Sequence, residues 1–160
     1  MRWTPTEQVR HAAADDVRAS DVIDVVVDTN VLVAAFRSSL GTSYRLLQTI
    51  ERRRWRPVIS PALAFEYESV LKRGVDELGL SLGDIDDFTE YLCSRARLVQ
   101  IYFRWRPTLP DPDDDRILEV AVRTGSPIVT FNVRDFRGSE SFGIKTMSPG
   151  ELLAIMGEQR

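Results

Sequence analysis

The sequence predicts an α/β fold in which a mostly parallel sheet is covered by helices. Three observations carry this. Val22-Ile23-Asp24-Val25-Val26-Val27 is a β-branched run of the kind that suits a central parallel strand buried on both faces. Further short apolar runs recur down the chain, separated by segments with apolar residues at helical spacing. Polar residues also cut in abruptly at the ends of two such runs, at Asp28 and Asn132, where open parallel sheets place their sites.

The elements follow in order. After Asp28-Thr29-Asn30 a helix is expected through Leu32, Val33 and Phe36. A second is expected after Gly41, with Thr42 or Ser43 as cap and Leu46, Leu47 and Ile50 as its apolar stripe. Pro57-Val58-Ile59 reads as a strand. Ser60-Pro61 then starts a helix running through Glu66, Val70 and Leu71 towards Gly74. A helix from about Asp84 carries Ile85, Phe88 and Leu92, and Leu98 to Phe103 reads as a strand. Aspartates at 113, 114 and 115 favour the first turn of a helix through Ile117, Leu118 and Ala121. Residues Pro127 to Phe131 and Ile144 to Met147 read as the last strands. Ser148-Pro149-Gly150-Glu151 has capping-box spacing for a terminal helix. Thr4-Pro5-Thr6-Glu7 has the same spacing, so residues 1–21 read as an extension with a short helix. The expected domain is 22–157, with 158–160 as a tail.

A chain of 160 residues suits one domain, and 43% apolar with 28% charged residues is ordinary for a globular protein. The only cysteine, Cys93, cannot form an intrachain disulfide and reads as a small core side chain. No run reaches the roughly 18 apolar residues of a membrane span, and no apolar run follows a basic N-terminal segment. A cytoplasmic protein with no membrane partner is expected. A net charge of −3 argues against binding nucleic acid by bulk charge. Three basic knots, at Arg52-Arg53-Arg54 with Arg56, at Arg104 with Arg106, and at Arg134 with Arg137, read first as solvated surface.

The chemistry lies in carboxylates. Asp28 directly after a buried strand is either a helix cap or a functional acid in a crevice. Glu66 sits in the first half of a helix, and Glu68, two positions on, points elsewhere. Three adjacent aspartates repel one another, and a cation would ease that repulsion. Oxygen-rich side chains without a histidine or cysteine cluster suit magnesium or manganese. His11, the only histidine, falls in the extension, which excludes a histidine dyad in the core.

Taken together, the chain resembles the PIN-domain family, particularly the ribonuclease toxins of bacterial and archaeal type II toxin–antitoxin pairs. The resemblance runs from about Val22 to Gly157. It rests on Val26-Val27-Asp28-Thr29-Asn30-Val31-Leu32, on Ser60-Pro61-Ala62-Leu63 with Glu66 and Val70-Leu71-Lys72-Arg73, and on Asp111 to Asp115 before Ile117-Leu118. It continues through Ile128-Val129-Thr130-Phe131-Asn132 with Arg134, Asp135 and Phe136. The order and spacing of these motifs are more specific than any one of them.

The resemblance implies a three-layer α/β/α sandwich that hydrolyses RNA with magnesium or manganese. It makes Asp28 the first metal ligand, Thr29 and Asn30 its orienting neighbours, and Glu66 the second acid. Asp114 becomes the third, with Asp115 as runner-up. Many members carry an aspartate at the position of Asn132, so this chain departs there. Asp135, three residues on, either reaches the metal or fixes Asn132 and its loop. Arg134 and Arg137 would hold substrate phosphates. The implied reaction is attack by an activated water, leaving a 5′-phosphate and a 3′-hydroxyl. Implied partners are RNA, a cognate antitoxin and a second copy in a homodimer. Competing readings are a PIN-like module that binds RNA or protein without cutting, and a magnesium-dependent DNA nuclease or phosphatase.

Overall fold

The β-branched run forms β1 (Ile23–Val27), whose last three valines are fully buried. In this computed structural model the described residues are 21–102, 109 and 111–157. The expected N-terminal helix, Arg104 with Arg106, and the 158–160 tail lie outside them. From β1 the chain runs through α1 (Thr29–Arg37), α2 (Thr42–Gln48) and a 3-10 turn (Ile50–Arg52) into β2 (Trp55–Ile59). Helix α3 (Pro61–Arg73), the short α4 (Val75–Leu78) and α5 (Leu82–Arg95) lead to β3 (Arg97–Leu98). The remainder is α6 (Pro112–Thr124), β4 (Ile128–Val129), two 3-10 turns (Val133–Phe136 and Ser139–Phe142), β5 (Thr146–Met147) and α7 (Pro149–Ile155).

The five strands lie in the order β3-β2-β1-β4-β5, and every pairing is parallel. The α/β sandwich expected from the sequence is the observed architecture. After β1 the chain builds outward on one side through β2 and β3, then returns to build β4 and β5 on the other. That reversal opens a crevice between the carboxyl ends of β1 and β4. Val27 stands in register with Val129 there, and the Asp28 amide donates to the Val129 carbonyl at 2.9 Å.

Local sequence explains most helix starts. Ser60 accepts from the Leu63 amide at 3.1 Å, with Pro61 in the first turn. Ser148 and Glu151 close the expected capping box. A second box, Ser81 with Asp84, starts α5 earlier than the expected Asp84. Helix α2 is capped by Gly41 with no side-chain bond, so neither Thr42 nor Ser43 is its cap. The strand expected at Leu98 to Phe103 is confined to Arg97–Leu98 in the described residues, because pairing to β2 ends where Val99 donates to the Ile59 carbonyl. Cys93 is half-buried on α5 rather than a core side chain. No described helix is long and apolar enough to cross a membrane.

The core joins the sheet to its helices through Leu32, Trp55, Leu63, Tyr67, Phe88 and Leu118, each about fully buried. Phe36 and Phe88 meet edge to face with centroids 4.8 Å apart, coupling α1 to α5. Tyr67 is the fastening that matters for the site. Its hydroxyl donates to the Val27 carbonyl, which ties α3 to the last residue of β1. Burial raises the Tyr67 phenol well above its ordinary value, so it stays a neutral donor. We expect Tyr67→Phe to fold but to lose about 1 kcal/mol in urea denaturation, the net value of one buried hydrogen bond. An unchanged midpoint would show that the hydroxyl does not hold α3 to β1.

Candidate functional site

Asp28 follows β1 and is the N-cap of α1, so the two sequence readings of this residue, cap and crevice acid, describe one geometry. Its side chain is 2% exposed. One oxygen accepts from the Asn30 amide at 3.4 Å, and the Thr29 amide also bonds the carboxylate. The other oxygen accepts from the Thr130 hydroxyl at 2.8 Å. Thr29 and Asn30 thus orient Asp28 through their backbone N–H groups at a helix N-terminus. Burial raises the Asp28 pKa. The Thr130 and amide bonds work against that rise, and the charge of Asp135 adds to it.

Thr130 is the residue sequence reasoning passed over. It is fully buried after β4, and its Oγ1 also accepts from the Asn132 amide at 2.9 Å. One hydroxyl therefore joins the acid after β1 to the loop after β4. The available signal was a hydroxylated residue ending an apolar run, but only the pairing of β1 with β4 puts it against Asp28.

Asp114 lies in the first turn of α6, whose N-terminus is capped by Asp111 accepting from the Asp113 amide at 2.9 Å. Its pKa is pushed up to about 7 by burial first, then by the charges of Asp28, Asp111, Asp135 and Asp113. Asp28, Asp114 and Asp135 thus form one electrostatic group. None of the three makes an ion pair among the described residues. The runner-up Asp115 is turned to a structural task, since one of its oxygens accepts from the Leu109 amide at 3.0 Å.

Glu66 differs from those three in having a counter-ion. It is buried on α3, next to Tyr67, and its carboxylate accepts from the Arg116 guanidinium at 2.8 Å. Arg116, two residues beyond Asp114 on α6, is a partner the sequence reading did not identify. Asn132 is exposed and its side chain makes no hydrogen bond among the described residues, while Asp135 is half-buried in the following 3-10 turn. Arg134 and Arg137 are exposed on the same turn and its end, and neither makes an ion pair among the described residues.

The donors fit a hard divalent cation in kind and in charge. They are all oxygens, Asp28 and Asp114 are desolvated, and the charges of Asp28 and Asp135 push the Asp114 pKa up. Among the described residues, though, no three acidic, histidine or cysteine side chains are gathered closely enough to enclose an ion as they stand. Asp28, Asp114 and Asp135 would hold a cation by closing on it, and Glu66 would join only by sharing or releasing Arg116.

The raised Asp114 pKa has a direct consequence for stability. A carboxylic acid whose folded pKa lies above its unfolded 3.8 binds its proton more tightly when folded. Folding stability from this group is therefore full below pH 4 and is lost as pH rises towards 7. Without divalent cations, Asp114→Asn should match the wild type at pH 4 and be more stable at pH 8. We expect a gain of about 1 kcal/mol, discounted for the solvent that still reaches the group. Chemical denaturation at the two pH values reads this, and an equal difference at both would refute it.

A family model described as PIN domain matches residues 24–134, more than half of the chain. The span includes Asp28, Glu66, Asp114 and Asn132 and ends one residue before Asp135. A comparison with curated proteins gives no match.

Proposed function

The chain belongs to the PIN-domain family, and from that premise we propose that it is a magnesium- or manganese-dependent endoribonuclease. PIN domains are generally nucleases and typically bind divalent metals. The observation that carries the reading here is the group of Asp28, Asp114 and Asp135. These carboxylates are desolvated or mutually repelling, they sit at the sheet's switch point, and no described cation answers them.

In this reading Asp28 and Asp114 hold the cation, with Asp135 completing the oxygen set from the neighbouring turn. When bound, a divalent cation supplies Lewis acidity towards water and phosphate oxygens. The protein's own residues do the rest. Thr130 and the Thr29 and Asn30 amides keep one rotamer of Asp28, so that its lone pairs are preorganised. Without a cation Asp114 holds its proton up to about pH 7, so proton and cation compete for it and cation binding weakens towards pH 5. Arg134 and Arg137 sit beside the crevice as unpaired cations for backbone phosphates. Hydrolysis would leave a 5′-phosphate and a 3′-hydroxyl. The homodimer and the role of toxin under an antitoxin belong to the same reading and rest on family resemblance, while the cytoplasmic setting rests on the single cysteine and the lack of long apolar runs in the sequence. An antitoxin arginine would find a desolvated anionic crevice suited to it.

A second reading has specific support. Glu66 already has Arg116 as its counter-ion, and an amide stands at Asn132. A PIN-like module that binds RNA or protein without cutting would tolerate both features.

Incubating the protein with short single-stranded RNA in manganese or magnesium separates the two. We expect cleavage that needs the metal and falls on the order of 10²-fold or more in Asp28→Asn and in Asp114→Asn. Asp135→Asn should weaken it more than Asn132→Ala. Cleavage that survives both Asp28→Asn and Asp114→Asn would remove the site assignment. RNA binding without cleavage by the wild type would select the second reading.

A further inference from the structure

The opposite end of the sheet has the opposite electrostatic character. A cavity of about 330 Å³ opens at the amino ends of β1, β2 and β3, lined in part by Arg53, Arg56, Arg95, Trp55, Ile50 and Ser94. It is separated from Asp28 by the length of β1, roughly 17 Å for five residues. The arginine knot after Ile50 is therefore not simply solvated. Folding brings two of its members together with Arg95 from the end of α5.

The charges around this cavity are unequal. Asp24 accepts from Arg56 at 2.8 and 3.1 Å and from Arg97 at 3.0 Å. Glu51 accepts from Arg95 at 3.0 Å and also takes the Tyr91 hydroxyl. Of the three arginines that line the cavity, Arg56 is paired with Asp24 and Arg95 with Glu51, while Arg53 makes no ion pair among the described residues. Arg53 is exposed. It ends the 3-10 turn at φ 54°, the only non-glycine residue described with a left-handed φ. The Arg95 Nε is buried without a hydrogen-bond partner among the described residues. Arg53, without an ion pair, and the part of the Arg95 guanidinium left open beside Glu51 flank a recess floored by Trp55 and Ile50, a place for a small anion.

We propose that this cavity binds a small phosphate-bearing ligand, its anionic group against Arg53 and Arg95. Phosphate offers several acceptor oxygens to converging guanidinium donors, and the volume suits a ligand no larger than a mononucleotide. The site is independent of the carboxylate end and holds whether or not that end cuts RNA.

Isothermal titration calorimetry on the full chain tests this, in EDTA and at fixed ionic strength, with inorganic phosphate, adenosine monophosphate and adenosine as probes. We expect saturable binding of the monophosphate, of free phosphate or of both, with none for adenosine. Comparing the two binders tells an esterified from a free phosphate. Arg53→Asn, which tolerates the left-handed backbone, should weaken binding about tenfold or more, the value of one charge-assisted contact. Ser94→Phe fills the recess from an exposed position and should abolish binding without relying on the Arg53 backbone. Asp28→Asn should leave it unchanged. Absence of saturable binding by both phosphates at millimolar concentration overturns the proposal. So do equal affinities in both cavity variants, loss of binding in Asp28→Asn, or binding seen only with a single-stranded oligoribonucleotide.

Discussion

The carboxylate of Asp28, taken out of water at the end of β1, is the constraint around which the rest is arranged. A buried charge costs several kcal/mol unless it is met by donors, or it protonates instead. Here the donors come from two directions, and a third element braces the strand end. The first amides of α1 meet it along the chain, the Thr130 hydroxyl meets it from β4, and Tyr67 secures the strand end behind it. Strand pairing, helix start and helix packing therefore converge on one side chain. Displacing any of them changes the acid.

These donors only partly satisfy Asp28, and its pKa stays raised. Placing Asp114 and Asp135 in range makes matters worse by repulsion. A fold optimised for stability alone would put a lysine or arginine in such a group. The structure does so for Glu66, through Arg116, and for Asp24 through Arg56 and Arg97. The contrast inside one molecule is informative. Asp24 and Glu66 are neutralised in place, while Asp28, Asp114 and Asp135 have no ion-pair partner among the described residues, a ready place for a cation.

The same sheet explains why the arginines gather at its other end. In a parallel sheet all amino ends emerge on one side, so residues before β1, β2 and β3 meet although they are far apart in sequence. Arg56 and Arg97 reach Asp24 across strand register, with Asp24 opposite Arg56. The chain's net charge of −3 hides this polarity, because acids and arginines are sorted by topology and not by position along the chain.

Much of the fold was legible in sequence because its signals are local. A β-branched run makes β1, serine and proline start α3 and α7, and hydrophobic spacing marks the helices. The short outer strands were read too long, since two-residue strands are defined by a neighbour's hydrogen bonds and not by their own residues. Of the site, Asp28 and Asp114 stood out as acids at a strand end and a helix start. Their shared field, the Thr130 clasp and the Arg116 partner of Glu66 did not. Sequence alone determined which side chains could carry charge and, through local capping signals, where helices such as α3 and α7 would begin. Tertiary structure decided which charges meet, because contact between residues about a hundred positions apart is set by strand order and register. Those distances also govern whether a carboxylate is paired, protonated or left open to a cation.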